Sequence, residues 1–173
     1  MFALIPFLLP SHAIDRAALR TAYLSNLKSY VGTRYIWGGE NRIGIDCSGL
    51  PRKSLRMALL SCGLKTGNGG AMRAYAEQWW FDASAKALSQ GYRGYTIPLH
   101  VSGKIQTLDY STFEPGDLAV TSNGVHVMVY IGGDLWIQAD PGIGKVAVLN
   151  GRTDANHWFK VPVTMHRWSV LAG

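Results

Sequence analysis

Apolar residues recur at helical spacing in the first half of the chain and at strand spacing near its end. Ala17, Leu24, Leu27 and Val31 predict a helix over Asp15–Val31, with Gly32 as its stop. A glycine-rich loop, Trp37–Gly44, leads to Asp46, a natural N-cap for a second helix that runs through Leu60 and stops near Gly63. Pro51 falls about one turn inside that helix, where proline is tolerated less well than at its first position. Ala71–Gln90 predicts a third helix, with Met72, Tyr75, Ala76 and Trp79 on one face. The stretch from Thr66 to Glu114 is otherwise the least legible, and its Trp79-Trp80-Phe81 cluster reads as core or as a groove wall.

From Pro115 onward the period changes from helix to strand. Leu118–Thr121 follows a Pro-Gly-Asp turn. In Val125–Ile131 the residues Val125, Val127, Val129 and Ile131 share one face, and His126, Met128 and Tyr130 share the other. Gly132-Gly133-Asp134 turns the chain, and Leu135–Ala139 returns as the partner strand. Lys145–Leu149 and Val161–Val170 add two more strands. Helices first and an antiparallel sheet after them make the fold class α+β.

Composition sharpens this only in places. Apolar residues make up 47% and charged residues 16% of 173 residues, which gives one globular domain, 14–173, and excludes a disordered chain. The net charge of +6 favours an anionic neighbour such as nucleic acid, a membrane surface or a cell wall. No run of Lys or Arg marks a nucleic-acid patch; Arg52-Lys53 with Arg56 is the densest cluster, so no nucleic-acid partner is expected.

Residues 1–13 read separately. Phe2–Leu9 is too short to span a bilayer, so no stable membrane span is expected. The run resembles an export signal's apolar region, and Ser11-His12-Ala13 fits a small-x-small cleavage pattern, although no basic residue precedes it. The alternatives are an exported protein and an apolar arm that packs on the domain; export is the expectation.

The two cysteines offer no disulfide framework and no C-x-x-C zinc pair, so no metal or cofactor is expected. Cys62 lies among Leu59, Leu60 and Leu64 as an inert thiol. Cys47 differs. A thiol at a helix start feels the positive end of the dipole, which favours thiolate, and unpaired N–H groups there can stabilise an oxyanion. Ser48 and Gly49 leave room beside the sulfur. His126, set in an alternating apolar strand, is the expected base. Gln138 and Asp140, two apart on one strand face, are the candidates for orienting its imidazole.

These residues also carry a family resemblance. Tyr35-Ile36-Trp37-Gly38-Gly39 followed by Gly44-Ile45-Asp46-Cys47-Ser48-Gly49-Leu50 resembles the NlpC family of papain-like cell-wall cysteine peptidases. Pro115-Gly116-Asp117-Leu118, Gly124-Val125-His126-Val127 and Trp136-Ile137-Gln138-Ala139 resemble later motifs of that family, in the same order. The resemblance implies a papain-like fold with the nucleophile at a helix start packed on a central antiparallel sheet. It implies a Cys47–His126–Gln138 triad; Asp140, open by strand spacing, stays the alternative third residue. Tyr35 would shape the oxyanion site, and Asp46 and Ser48 would bind the free amine of a peptidoglycan stem peptide. The reaction implied is cleavage between γ-D-glutamyl and a diamino acid.

Three features depart from the family pattern: Gln138 in place of the more usual His, Pro51 in the helix, and the long span between Cys47 and His126. The rival readings are an amidase that cuts the sugar–peptide link, an acyltransferase, and an inactive wall-binding module. A partner that targets the enzyme, or an immunity partner if it is a toxin, is the further expectation.

Overall fold

A computed structural model of the protein describes residues 5–173. A short helix α1 (Ile5–Leu8) precedes α2 (Arg16–Ser29), α3 (Gly49–Thr66), α4 (Gly69–Trp80) and α5 (Ala85–Ser89). The strands are β1 (Thr96–Lys104), β2 (Leu118–Thr121), β3 (Val127–Gly132), β4 (Leu135–Asp140), β5 (Lys145–Asn150) and β6 (Pro162–Trp168). They form one antiparallel sheet in the order β1-β6-β2-β3-β4-β5. The α+β class read from the sequence is the fold observed.

Helix α2 starts where expected: the Asp15 carboxylate accepts a bond from Ala18 N–H at 3.0 Å. Its core face is Leu19, Tyr23 and Leu27, whereas Val31 is exposed beyond its end. Helix α3 does not stop at Gly63. It runs on to Thr66 and ends at Gly67 in the left-handed conformation. Gly63 is there for closeness, since a Cβ at that position would sit 2.7 Å from the Met72 sulfur of α4. Pro51 is the third residue of α3, inside the first turn, where its missing N–H breaks no bond within the helix.

The single helix expected over Ala71–Gln90 is two. At Phe81 the backbone becomes extended, and Ser84 restarts the helix by accepting from Ala87 N–H at 3.2 Å. Trp79 and Trp80 are exposed and belong to no core cluster.

Both faces of the central strands are covered. Leu118, Val120, Val127, Val129, Ile137 and Ala139 pack with the helices. Ala119, Met128, Tyr130, Trp136, Val163 and Met165 pack on the other side with Tyr110, Phe113 and Phe159. Double coverage explains why Leu118–Thr121 is continuously buried rather than alternating. Val125, predicted as a strand residue, lies before β3 and is half exposed.

The predicted N-terminal segment falls partly on residues 1–4, outside the described residues. Residues 7–12 lie against the start of α4. Arg73 donates to the Phe7 and Leu9 carbonyls and to Ser11 Oγ, and Asn68 exchanges two hydrogen bonds with the His12 backbone. Among the described residues no helix is long and apolar enough to cross a membrane.

Candidate active site

Three local structures bring the predicted side chains together. The first is the loop entering α3. The Asp46 carboxylate accepts from Gly49 N–H at 2.6 Å, from the Ser48 hydroxyl at 3.1 Å and from Gly38 N–H at 2.8 Å. Asp46 thus caps α3 from three residues ahead of its first residue and ties it to the glycine loop. Cys47 lies immediately before Ser48, the N-cap of α3, inside a turn closed by Leu50 N–H donating to the Asp46 carbonyl at 3.1 Å. A Cβ at Gly49 would lie 2.5 Å from the Gly39 carbonyl oxygen, so only glycine fits where the loop crosses the helix start. Gly49→Ala is expected to slow Cys47 alkylation at least about tenfold and to lower the melting temperature by several degrees. Timed thiol labelling and a thermal melt check both.

The second structure is the turn that delivers His126. Thr121 Oγ1 accepts from Val125 N–H at 3.2 Å and from His126 N–H at 3.0 Å, and Thr121 N–H donates to the His126 carbonyl at 3.0 Å. Gly124, with φ +72°, closes this turn. Upstream, Asp117 is buried in the Pro-Gly-Asp turn and accepts two bonds from the Arg167 guanidinium at 2.7 and 2.8 Å. Tyr130 N–H donates to the Asp117 carbonyl, fixing β3 against the turn.

The third is β4. Gln138 Oε1 lies 2.6 Å from His126 Nε2, and Gln138 Nε2 donates to Asp140 Oδ2 at 3.3 Å. Of the two candidates for the third residue, Gln138 touches the imidazole and Asp140 stands behind it. Asp140 also accepts from Gly142 N–H and from Asn156 Nδ2, both at 2.7 Å. The Trp158 ring lies flat on the His126 ring, with centroids 4.1 Å apart and planes 17° apart.

The Cys47 thiol donates to the Val125 carbonyl at 3.8 Å, against the backbone that immediately precedes His126. Burial pushes this thiol up to about 11, reinforced by the Asp46 charge and opposed by the N–H groups of Val127 and Ser48. Burial also lowers His126 to about 4, against the stabilising Gln138 oxygen and the Asp140 charge. Burial therefore opposes the thiolate that the helix start favours. Desolvation thus acts on both members of the pair, favouring the thiol at Cys47 and the neutral imidazole at His126.

Tyr35 is half-buried, and its phenol is pushed up to about 12 by burial and by the nearby charges of Cys47, Asp46 and Asp140. It is a hydrogen-bond donor at neutral pH. Cys47 opens on a cleft of about 790 Å³ walled by Trp37, Asp46, Arg52, Asp82, Lys86 and Val125. The cleft carries both signs of charge, since the buried Arg52 pairs with Glu40 at 2.8 Å and with Asp82. Cys62 is a free thiol in mid-α3. Among the described residues no group of three His, Cys, Asp or Glu side chains is placed to hold a metal ion.

The NlpC/P60 family model matches residues 32–164. The chain belongs to the NlpC/P60 family. A solved structure of NlpC1 from Trichomonas vaginalis superposes with a TM-score of 0.57 at 18% identity, over 90% of this chain and 45% of that one. The peptidoglycan hydrolase RipB from Mycobacterium tuberculosis superposes with a TM-score of 0.51 at 19% identity, over 87% of this chain and 65% of that one. Dipeptidyl-peptidase 6 of Lysinibacillus sphaericus is 44% identical over 39 residues, 22% of this chain and 14% of that protein. The chain thus spans less than two thirds of each of these relatives.

Within this NlpC/P60 domain, Thr121, Asn156 and Trp158 support the site without having been singled out in the sequence. Asn156 is the cap of a short turn, His157–Phe159, and its Oδ1 accepts from Trp158 N–H at 3.0 Å. An Asn two residues before a Trp is a capping signal, but nothing in it points toward His126.

Proposed function

We propose that this NlpC/P60 chain is a cysteine peptidase of bacterial cell wall that cuts peptidoglycan stem peptides at the γ-D-glutamyl–diamino acid bond. The observation that carries the reading is the 2.6 Å contact between His126 Nε2 and Gln138 Oε1, in a buried site beside the Cys47 thiol. A glutamine oxygen only accepts, so Nε2 carries the proton and Nδ1 is left as the base. In the reaction Cys47 Sγ attacks the scissile carbonyl carbon as its proton passes to His126. The backbone N–H groups at the start of α3 and the Tyr35 hydroxyl stabilise the oxyanion. The intermediate collapses with the amine leaving as it takes the proton from His126. Water, deprotonated by His126, then hydrolyses the thioester and frees Cys47.

Two things support the substrate class. RipB is named a peptidoglycan hydrolase. The cleft presents carboxylates at Asp46 and Asp82 and cations at Arg52 and Lys86, which suits a peptide bearing a free amine and carboxylates. Asp46 and Ser48 take the amine in this reading. Action on the wall requires the chain to be exported or delivered there.

Incubation with peptidoglycan and with tetrapeptide muropeptides, followed by mass spectrometry, tests the proposal. Truncation to disaccharide-dipeptide is expected. Release of intact stem peptide would make the chain an amidase, and transfer of an acyl group an acyltransferase. No product from either substrate would overturn the reading and leave a wall-binding module.

A further inference from the structure

The triad does not end at Gln138. We propose that Asn156 and Trp158 are positioning residues for His126: Trp158 stacks on the imidazole, and Asn156 holds both the Trp158 backbone and the Asp140 carboxylate that orients Gln138. This inference rests on the catalytic reading of Cys47 and His126.

The contacts form one closed circuit. His126 meets Gln138 at 2.6 Å, Gln138 meets Asp140 at 3.3 Å, and Asp140 meets Asn156 at 2.7 Å. Asn156 meets Trp158 N–H at 3.0 Å, and the Trp158 ring returns to His126 at a 4.1 Å centroid distance. Each link has a separate consequence. The Asp140 carboxylate accepts only, so it forces the Gln138 NH2 toward itself and leaves the amide oxygen facing His126. A flipped amide would set two oxygens against each other and offer Nε2 a donor, which would move the imidazole proton to Nδ1 and remove the base. Trp158 covers one face of the imidazole and keeps water from competing for the Gln138 bond.

The charged and titratable groups that act on the imidazole come from three elements. Asp46 lies on the loop before α3, Asp140 on β4, and His157 on the same turn as Trp158. Asp46 and Asp140 raise the affinity of His126 for a proton, and burial overrides them. Trp158 supplies part of that burial, so removing the ring should let water and those carboxylates act.

The test compares Trp158→Ala, Trp158→Phe and Asn156→Ala with the unmodified chain by NMR titration of His126, identified through a His126→Asn spectrum. Peptidoglycan kinetics accompany it. In Trp158→Ala, His126 is expected to titrate about one pH unit higher, with kcat down at least about tenfold and KM within about twofold. Trp158→Phe should restore most of both, and Asn156→Ala should move both in the same direction by less. If Trp158→Ala does not fold, Trp158→Leu replaces it with the same expectation. A folded variant without the ring, with titration and kcat unchanged, overturns the proposal. The titration needs no substrate. A shifted His126 in a chain that cleaves no peptidoglycan would therefore support the clamp while refuting the proposed function.

Discussion

Cys47→Ala is expected to lower peptidoglycan cleavage at least about a thousandfold, with the melting temperature within about 3 °C of the unmodified chain. The size of the loss follows from the chemistry: without sulfur no thioester forms, and only binding and oxyanion contacts remain. The small effect on folding follows from the environment. Cys47 is buried, but it sits at the edge of the helix-side core beside the cleft, and its one side-chain hydrogen bond is a 3.8 Å contact from a thiol, a weak donor. Replacing SH by H there removes little packing and leaves no strong acceptor stranded. Residual cleavage above about one part in a hundred, with Cys62 the only thiol left to label, would place the nucleophile elsewhere.

His126→Ala should behave differently, and the comparison is informative. Its loss opens a space between Gln138 and Trp158 and leaves the Gln138 oxygen without its donor in a buried site. A folding defect is expected together with the catalytic one. Cys47→Ala is therefore the cleaner probe of mechanism.

The parts of the fold that could be read from the sequence are those where one physical requirement acts alone. Helix α2 announces itself through Leu24 and Leu27 at helical spacing and the Gly32 stop, and β3 through a period-two run closed by Gly132-Gly133. Strand β1 was hidden for identifiable reasons. It is an edge strand paired only with β6, it contains Pro98, and its register shifts between Pro98 and Ser102, where His100 takes a positive φ. Proline and a bulge are features that suit an edge strand and that erase its signal in a sequence. The split between α4 and α5 was hidden because Ser84, a cap, sits within a run whose apolar period continues across it.

The site divides along the same line. Cys47, His126 and Gln138 stood out because each lies in a short motif with a chemical reason for its residue types. Asn156 and Trp158 come from a turn between β5 and β6, and only the pairing of distant strands brings that turn to His126. The protonation balance of the Cys47–His126 pair divides in the same way. The helix dipole is visible in sequence order, whereas the burial that opposes it depends on β3, β4 and the turn over them.

The upward shift of Cys47 and the downward shift of His126 set the expected pH dependence. Activity is expected to be nearly flat from about pH 5 to 9, falling on the acid side as His126 takes a proton near 4 and on the alkaline side near 11. Iodoacetamide labelling of Cys47 separates this from an ion pair. A resting thiol should label about tenfold faster for each pH unit between 7 and 10, because the thiolate fraction rises by that factor. A preformed thiolate–imidazolium pair would label at a rate already level at pH 7. Stability carries the same sign. Between 6.5 and 4 the unfolded chain binds a proton at His126 that the folded chain refuses, so stability present above 6.5 is lost as pH falls through this window, by about 3 kcal/mol. His166, lowered by its own burial, adds a loss of the same sign. Urea unfolding at pH 7 and pH 4.5 should therefore show a drop in midpoint that His126→Asn reduces but does not abolish. An unchanged drop in that variant, with level labelling at pH 7, would mean that the folded protein holds His126 as an imidazolium beside a Cys47 thiolate.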